Sequence, residues 1–556
     1  MAEAVTEMVI PGTYIDVRAE GLIAVSGIST GNIGIVGTAA RGPVDEPIIL
    51  SSLPEAFETF GEPDAWQGGS ADELTLVRAL EQVFSNGGST VYAVRTSASG
   101  GAAAAAARRA LPDATGTVVT LTALTPGTWG HEVRVQVRAA SANAFVERRA
   151  QTVPEPVVVQ PLHANIAASP RNNVRLTRVA TGQTFRLELR TSGAPSRGVA
   201  RVQADGALSF HADDQPVAGD TLVASYEVSA SACRDVQVEY GPLRETYTVA
   251  DATDLARDIA AASGLVAATI AAGADPRLPD VMTTALPLEG GSNGEGATPA
   301  QYSASLALLD TEPVNIVVLA GQPFGDAAAA LAAHAETTEN AGRERLTVVG
   351  ADSDTASQVA ANADEVADDR VILVAPGIRV VDRASGNAAS LPPAYAAAAI
   401  AGLLASLAVH VSPTNKSVRV LGLTRDYNDG EVKNLLNNRV LVLDKKAGYR
   451  VVKGISTDDA AFRQISVRRI VDYAKEGVRR ATLPYIGRLN NARVRSAMQG
   501  TLNGFLSQMV VDEQLTEFQL EVSATREQEV AGIAQVVLYL KPTFSIDYVR
   551  VIMNLA

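Results

Sequence analysis

Three short motifs in this 556-residue chain could carry chemistry, and each needs a particular setting to do so. Gly27-Ile28-Ser29-Thr30-Gly31 has the GxSxG spacing of a serine nucleophile elbow. An elbow must join a strand to a following helix, and NIGIVGTA after it reads as a strand, with no His/Asp pair suggested. Gly290-Gly291-Ser292-Asn293-Gly294-Glu295-Gly296 precedes a helix capped near Thr298-Pro299, where backbone N–H groups could cradle a phosphate. No Lys follows in the GxxxxGK[ST] register and Glu295 would repel the anion, so the segment reads as a structural loop. Asp352, Asp354, Asp364, Glu365, Asp368 and Asp369 form an acidic cluster without the Gly and Glu positions of a calcium loop. They read as a solvated helix face. The five histidines, His131, His163, His211, His334 and His410, show no HxH or HExxH spacing, and the single Cys233 leaves no cysteine cluster or intrachain disulfide. No catalytic residue, cofactor-binding residue or metal ligand is therefore assigned.

Length, charge and hydropathy describe the scaffold. At roughly 150 residues per domain the chain predicts three or four domains. With 47% hydrophobic and 19% charged residues it reads as ordinary globular protein. The net charge of −14 argues against bulk nucleic-acid binding. Charge is uneven: residues 415–500 carry 18 Lys/Arg against 8 Asp/Glu, leaving 29 against 53 elsewhere. That asymmetry reads either as solvated faces or as a positive surface that docks on an acidic one, in self-association or with a partner. The N-terminus, MAEAVTEMVIPGTYI, lacks a basic region and a long apolar core, so it is not read as a signal peptide. AYAAAAIAGLLASLAV (Ala394 to Val409) is too short and too Ala-rich for a membrane span and predicts a buried helix started by Pro392-Pro393. A soluble product made in the cytoplasm is expected.

The periodicity predicts an α/β (α+β) multidomain fold. NIGIVGTA, PIILSS and STVYAVRT read as strands, and LPEAFETFG and ELTLVRALEQVFSNGG as helices, the first with a capping-box pattern at Ser52 and Glu55. From about Ser97 short alternating runs (TVVTLTAL, EVRVQVRA, FRLELRT, TLVASYEVSA) predict an all-β insertion over 98–248, after an Ala-rich bridge. VNIVVLAG, LTVVGAD and DRVILVAPG resume the α/β pattern. After Val411 a third unit is expected, with long helices AFRQISVRRIVDYAKEGVRRAT and NARVRSAMQGTLNGFLSQMVVDEQ and closing strands AQVVLYLKP and SIDYVRVIMNLA. The expected division is 1–25 an extended arm, 26–97 with 249–411 a discontinuous α/β domain, 98–248 the insertion, 412–540 a C-terminal domain and 541–556 an arm strand. Both chain ends alternate like strands with no obvious partner, and open edges of that kind aggregate unless something pairs with them.

An ordered set of motifs resembles the contractile-tail sheath proteins of bacteriophages, R-type pyocins and extracellular contractile injection systems. The set runs PGTYIDV (Pro11 to Val17), GIVGTAARGPVDEPIILSS (Gly34 to Ser52), FETFG, VFSNGGSTVYAVR (Val83 to Arg95) and GTWGHEVRVQV (Gly127 to Val137), the last with His131 where Asn is usual. LEGGSNGEGATPAQYSASLALLD (Leu288 to Asp310), PPAYAAAAIAGLLA, VSPTNKSV, GYRVVKGIST, FRQISVRRIVDYAKEGVRR and YIGRLNNARVRSAMQGTLNGFL follow in order. Residues 140 to 245 match no motif and would be a variable, outward-facing insertion.

The resemblance implies a sheath core of mixed sheets and helices with extended terminal arms. It implies stacked hexameric rings around an inner tube, contracting from a metastable extended state without any enzyme activity or cofactor. Arms would pair with a neighbouring copy through Pro11, Gly12, Tyr14, Ile15 and Val17 at one end and Ile546, Tyr548, Val549, Val551 and Ile552 at the other. A helix over Asn491 to Val511 would face the tube, with Arg488, Arg493 and Arg495 gripping its carboxylates. Implied partners are the chain itself, the inner tube, the baseplate and a tail-terminator or cap protein, with no nucleic acid and no membrane insertion. The implied location is the bacterial cytoplasm during assembly, then a virion tail or injection particle. An α/β enzyme or ligand-binding protein with a β-domain insertion is the alternative reading of the same pattern. A surface-layer or adhesin-like protein is a second, disfavoured by the missing export signal.

Overall fold

The computed structural model describes residues 27–553 apart from Ala71 and Asp275. The N-terminal arm residues Pro11, Gly12, Tyr14, Ile15 and Val17 lie outside the described residues. The chain divides into two compact units.

The first unit (residues 1–39, 45–96 and 296–556) is built on an eight-stranded sheet. Its strands are β1 (Asn32–Gly37), β2 (Pro47–Leu50), β3 (Thr90–Arg95), β4 (Ile316–Leu319), β5 (Leu346–Gly350), β6 (Val371–Ala375), β7 (Leu441–Lys445) and β8 (Tyr449–Val451). The order is β2-β3-β1-β4-β5-β6-β7-β8. The six strands β3 to β7 run parallel, and the edge strands β2 and β8 run antiparallel to their neighbours. Ile and Val runs such as IVVL and VILVA are buried throughout, as parallel strands covered on both faces must be. Ile33, Ile35, Ile316, Val348 and Ile372 belong to one core, and Val36, Val317, Val349 and Leu373 to a second. The pleat's period of two thus sends alternate residues to opposite layers.

The layers are helical. On one side lie α1 (Leu53–Phe60) and α2 (Leu76–Ser85); on the other lie α3 (Pro299–Ala307) and α4 (Phe324–Asn340). Helix α5 (Pro393–Ser406) is the predicted Ala-rich helix, with Pro393 through Leu404 buried. Small side chains let it approach α2 so closely that a Cβ on Gly402 would sit 2.3 Å from the carbonyl oxygen of Val83. Among the described residues no helix is long and apolar enough to cross a membrane.

Three expectations change at this level. Ser52 occupies the N-cap of α1, but its side chain makes no capping bond; Glu55 instead accepts from the Ser51 N–H at 2.7 Å and hydroxyl at 2.8 Å. The acidic cluster is a solvated face only in part: Asp364 and Glu365 are exposed, but other members are engaged. Asp352 accepts from the Gly325 N–H at 2.9 Å, Asp354 from the Gly377 N–H at 2.8 Å, and Asp369 pairs with Arg468 at 2.7 Å. The α/β sheet also runs past Val411, because β7 pairs in parallel with β6 and β8 pairs antiparallel with β7.

The second unit (residues 40–44 and 97–295) holds six-, four- and three-stranded sheets. It extends beyond the expected 98–248. Strand Val266–Ile270 pairs antiparallel with Gly116–Ala123, which draws residues 249–295 into this unit. It is also not purely β, since the helix Ala252–Ala262 starts from an Asp251 N-cap that accepts from the Asp254 N–H at 2.8 Å. The Gly-rich segment is a structural loop: Asn293 accepts from the Thr128 N–H at 2.8 Å, and the Gly291 N–H donates to His131 Nε2 at 3.0 Å.

Candidate assembly surface

Helix α6 (Ile465–Thr482) leads into α7 (Ala492–Val511), then the hairpin strands β9 (Leu515–Ser523) and β10 (Gln535–Pro542), and last residues 543–553. Ile470, Ala474 and Gly477 turn one face of α6 toward α7. A Cβ on Gly477 would fall 1.9 Å from the Phe505 ring, so only glycine allows this crossing. Met498, Leu502, Phe505, Leu506 and Met509 bury the inner face of α7 at helical spacing. Its other face, with Arg493, Ser496, Gly500, Asn503, Gly504 and Ser507, is exposed and made mostly of small residues.

Part of the basic charge of residues 415–500 is spent inside the unit, where cations from other segments join it. Arg370 from β6's leading edge, itself buried, bridges Glu339 at 2.6 Å and Asp472 on α6 at 3.0 Å. Arg468 pairs with Asp369 and Asp472, and Arg479 with Glu344 and Glu476. The bond from Arg370 holds the Glu339 carboxyl down at about 2. Buried Arg469 donates to the carbonyls of Thr30 and Leu407, and burial lowers its pKa to about 10. Acids outside that segment, such as Asp369, Glu344 and Glu529, thus pair with some of its cations.

The three arginines expected to meet a tube are placed differently. Arg493 is exposed and makes no ion pair or hydrogen bond with a described residue. Arg488 is exposed and donates to the Pro484 carbonyl at 3.0 Å. Arg495 is drawn inward, bonding Asn490 at 2.8 Å and Glu529 at 3.0 Å, so it already holds a carboxylate of its own chain.

The hairpin is a two-stranded sheet. Phe518, Leu520, Val522, Val536, Leu538 and Leu540 pack toward the helices. Among the described residues neither strand has a partner on its outer edge, so both edges present open N–H and C=O groups. Residues 543–553 leave β10 without forming a strand. Ile546, Tyr548, Val549, Val551 and Ile552 are 82%, 80%, 80%, 71% and 70% exposed. The base of this tail is nonetheless anchored. Asp547 pairs with Lys453 at 3.3 Å, both side chains mostly buried, and the Ser545 N–H donates to Gln464 Oε1 at 3.3 Å.

Sequence spacing gave no hint of one polar cluster in the second unit. His163, Asp251 and Asp254 present ligand atoms within 4.8 Å of one another. His163 lies 2.8 Å from both Asp251 and Tyr226, and Arg149 reaches Asp251 at 2.5 Å. Burial, then the Asp251 charge, pushes the Asp254 carboxyl up to about 6. The Arg149 guanidinium already supplies a cation to Asp251, which ties the cluster together by ion pairs.

The phage tail sheath protein central domain matches residues 295–457, and the phage tail sheath C-terminal domain matches residues 457–556. Together the two matches span residues 295–556. Solved sheath proteins share its fold. The sheath tail protein of Desulfitobacterium hafniense is 15% identical at a TM-score of 0.57, covering 96% of this chain and 100% of its own. That of Listeria innocua is 13% identical at 0.59, covering 94% and 93%. No curated protein matches the sequence. The open hairpin, α6, α7 and the tail all fall within the sheath C-terminal domain.

Proposed function

We propose that copies of this chain polymerise as stacked six-fold rings around an inner tube and contract from a metastable extended state, driving the tube through a target envelope. The observation that carries the reading is the unfinished hairpin β9–β10 beside an exposed apolar tail. A strand from a second copy, added to either free edge, satisfies the open backbone groups and covers the apolar side chains together. The C-terminal arm (Ile546 to Ile552) and the N-terminal arm (Pro11 to Val17) supply such strands. The mechanism is mechanical, with no enzymatic step: the energy lies in the difference between two packings of each subunit, and a few kcal/mol per copy suffices when summed over many. A baseplate signal starts the change, and a terminator or cap closes the far end. Assembly takes place in the bacterial cytoplasm, before the particle acts as a phage tail or injection system. The exposed face of α7 meets the tube, with Arg493 and Arg488 free to grip carboxylates and Arg495 bracing the hairpin loop through Glu529.

Negative-stain microscopy of the chain expressed alone tests this. Hollow striated cylinders are expected, and removal of residues 543–556 or 1–18 leaves a folded monomer. Discrete particles of about 6 nm from the full chain, the size of a compact chain of this length, would refute it and favour the ligand-binding alternative. Arg493→Glu is expected to abolish tube-dependent assembly while leaving the melting temperature unchanged; normal extended sheaths from that variant would remove α7 from the tube contact.

A further inference from the structure

The first unit contains a cavity of about 870 Å³ that neither α7, the hairpin nor the tail lines. It opens at the carboxyl ends of β1, β4 and β5, lined by Thr38, Gly321 and Ala351. The strand order reverses there: from β1 the chain builds outward to β3 on one side, then returns to place β4 on the other. In open parallel sheets that reversal point is where a crevice forms and where small molecules bind. The volume is within the range of small-molecule sites.

Two features say what kind of molecule fits. First, the lining holds four carboxylates, Glu73, Asp326, Asp352 and Asp354, and no Lys, Arg or His. The N-termini of α2, α3, α4 and α5 also reach the cavity, through Thr75, Thr298, Pro323 and Pro392. Each helix end contributes roughly half a positive charge, about +2 in all, against four full negative charges. The carboxylates win by about two charges, which excludes phosphates and nucleotides and favours a dication. Second, Tyr395 lines the cavity at 1% exposure, and its hydroxyl has no hydrogen-bond partner among the described residues. That hydroxyl borders the cavity, so its hydrogen-bonding capacity is open to a ligand there.

A metal ion does not suit this arrangement. Among the described residues no three of the cavity's carboxylates bring ligand atoms within 4.8 Å of one another. Glu73 and Asp352 already accept backbone N–H groups, from Gly69 at 3.0 Å and Gly325 at 2.9 Å. The charge is spread along the walls, beside the apolar surfaces of Trp66, Leu391 and Tyr302. We infer that this cavity binds an aliphatic diamine, with one ammonium donating to the Tyr395 hydroxyl, carboxylates such as Asp326 balancing the charge, and the methylene chain against the apolar wall. Asp326 is exposed and its carboxylate makes no hydrogen bond with a described residue, so its charge is free for a ligand.

Calorimetric titration of the full chain with 1,4-diaminobutane in 0.15 M salt tests the inference, with inorganic phosphate and magnesium chloride as comparisons. One saturable site per chain is expected for the diamine and none for phosphate. Tyr395→Phe should weaken binding about tenfold, the worth of a hydrogen bond to a charged group, without moving the melting temperature. Asp326→Asn should weaken it about threefold. The absence of saturable heat, a site that phosphate fills, or magnesium binding as tightly as the diamine would overturn the inference. So would unchanged titrations of both variants, which would place the diamine elsewhere on this acidic chain. The test does not depend on sheath assembly, and either reading can fail without the other.

Discussion

The eight-stranded sheet and the β9–β10 hairpin lie in the same compact unit but are completed to different degrees. Every interior strand of the large sheet has two partners, and its edges are short antiparallel strands of 4 and 3 residues. Helices cover both of its faces. The hairpin has longer strands, of 9 and 8 residues, one covered face and two open edges. Long open edges are a hazard in a solitary protein, and natural sheets blunt theirs. The contrast is what the proposed strand addition by a second copy requires: one sheet is complete within the chain and the other keeps free edges.

Substitutions that separate the two regions would sharpen the comparison. The largest effect is expected in the large sheet's layer: Gly402→Val drives a side chain into the Val83 carbonyl and should cost 3 kcal/mol or more, roughly the upper end for overpacking, read from the denaturation midpoint. Next comes a pH effect confined to that core. His334 is buried beside Arg345, which together hold its pKa down to about 4, against an ordinary 6.5. The unfolded chain therefore binds the proton more readily, so stability falls as pH drops from 6.5 toward 4, by up to about 3 kcal/mol. His334→Gln should flatten that slope in urea melts; an unchanged slope would move the acid lability elsewhere. A smaller effect, about 1 kcal/mol, is expected from Lys453→Met, which strips Asp547 of its cation. Its signature is faster hydrogen exchange at residues 545–548 with the core unaffected. The smallest belongs to the hairpin: Lys541→Glu places like charges across from Glu517 and should cost about 0.5 kcal/mol.

Much of this architecture was legible in the sequence, because period and punctuation are local. The runs NIGIVGTA, VNIVVLAG and DRVILVAPG are all strands, and Pro392-Pro393 does start a buried helix. Strand Ala144–Thr152 escaped notice because AFVERRAQT is broken by its two arginines, and β9 because LTEFQLEVS directly follows the expected helix and was not read as a strand. Boundaries failed where long-range pairing decides them: residues 266–270 and 441–445 join sheets that no neighbouring residue announces. Side-chain roles were the least legible. Arg495 differs from Arg493 only in facing Glu529, 34 residues away, and Tyr395 looks like any aromatic in an Ala-rich helix until the topology puts a cavity beside it.

The threading of the large sheet also sets a timetable for synthesis. Asn32, at the start of β1, donates its backbone N–H to the side chain of Asn315, 283 residues later. At 5–20 residues per second a ribosome needs roughly 15–60 s to deliver that partner. Until then β1, β2 and β3 can pair only among themselves, with the future inner edge of β1 bare. The 97–295 unit has its own cores and can fold during the wait. The nascent chain therefore carries a finished domain between two halves of an unfinished one, and that interval is when a holdase chaperone would matter most.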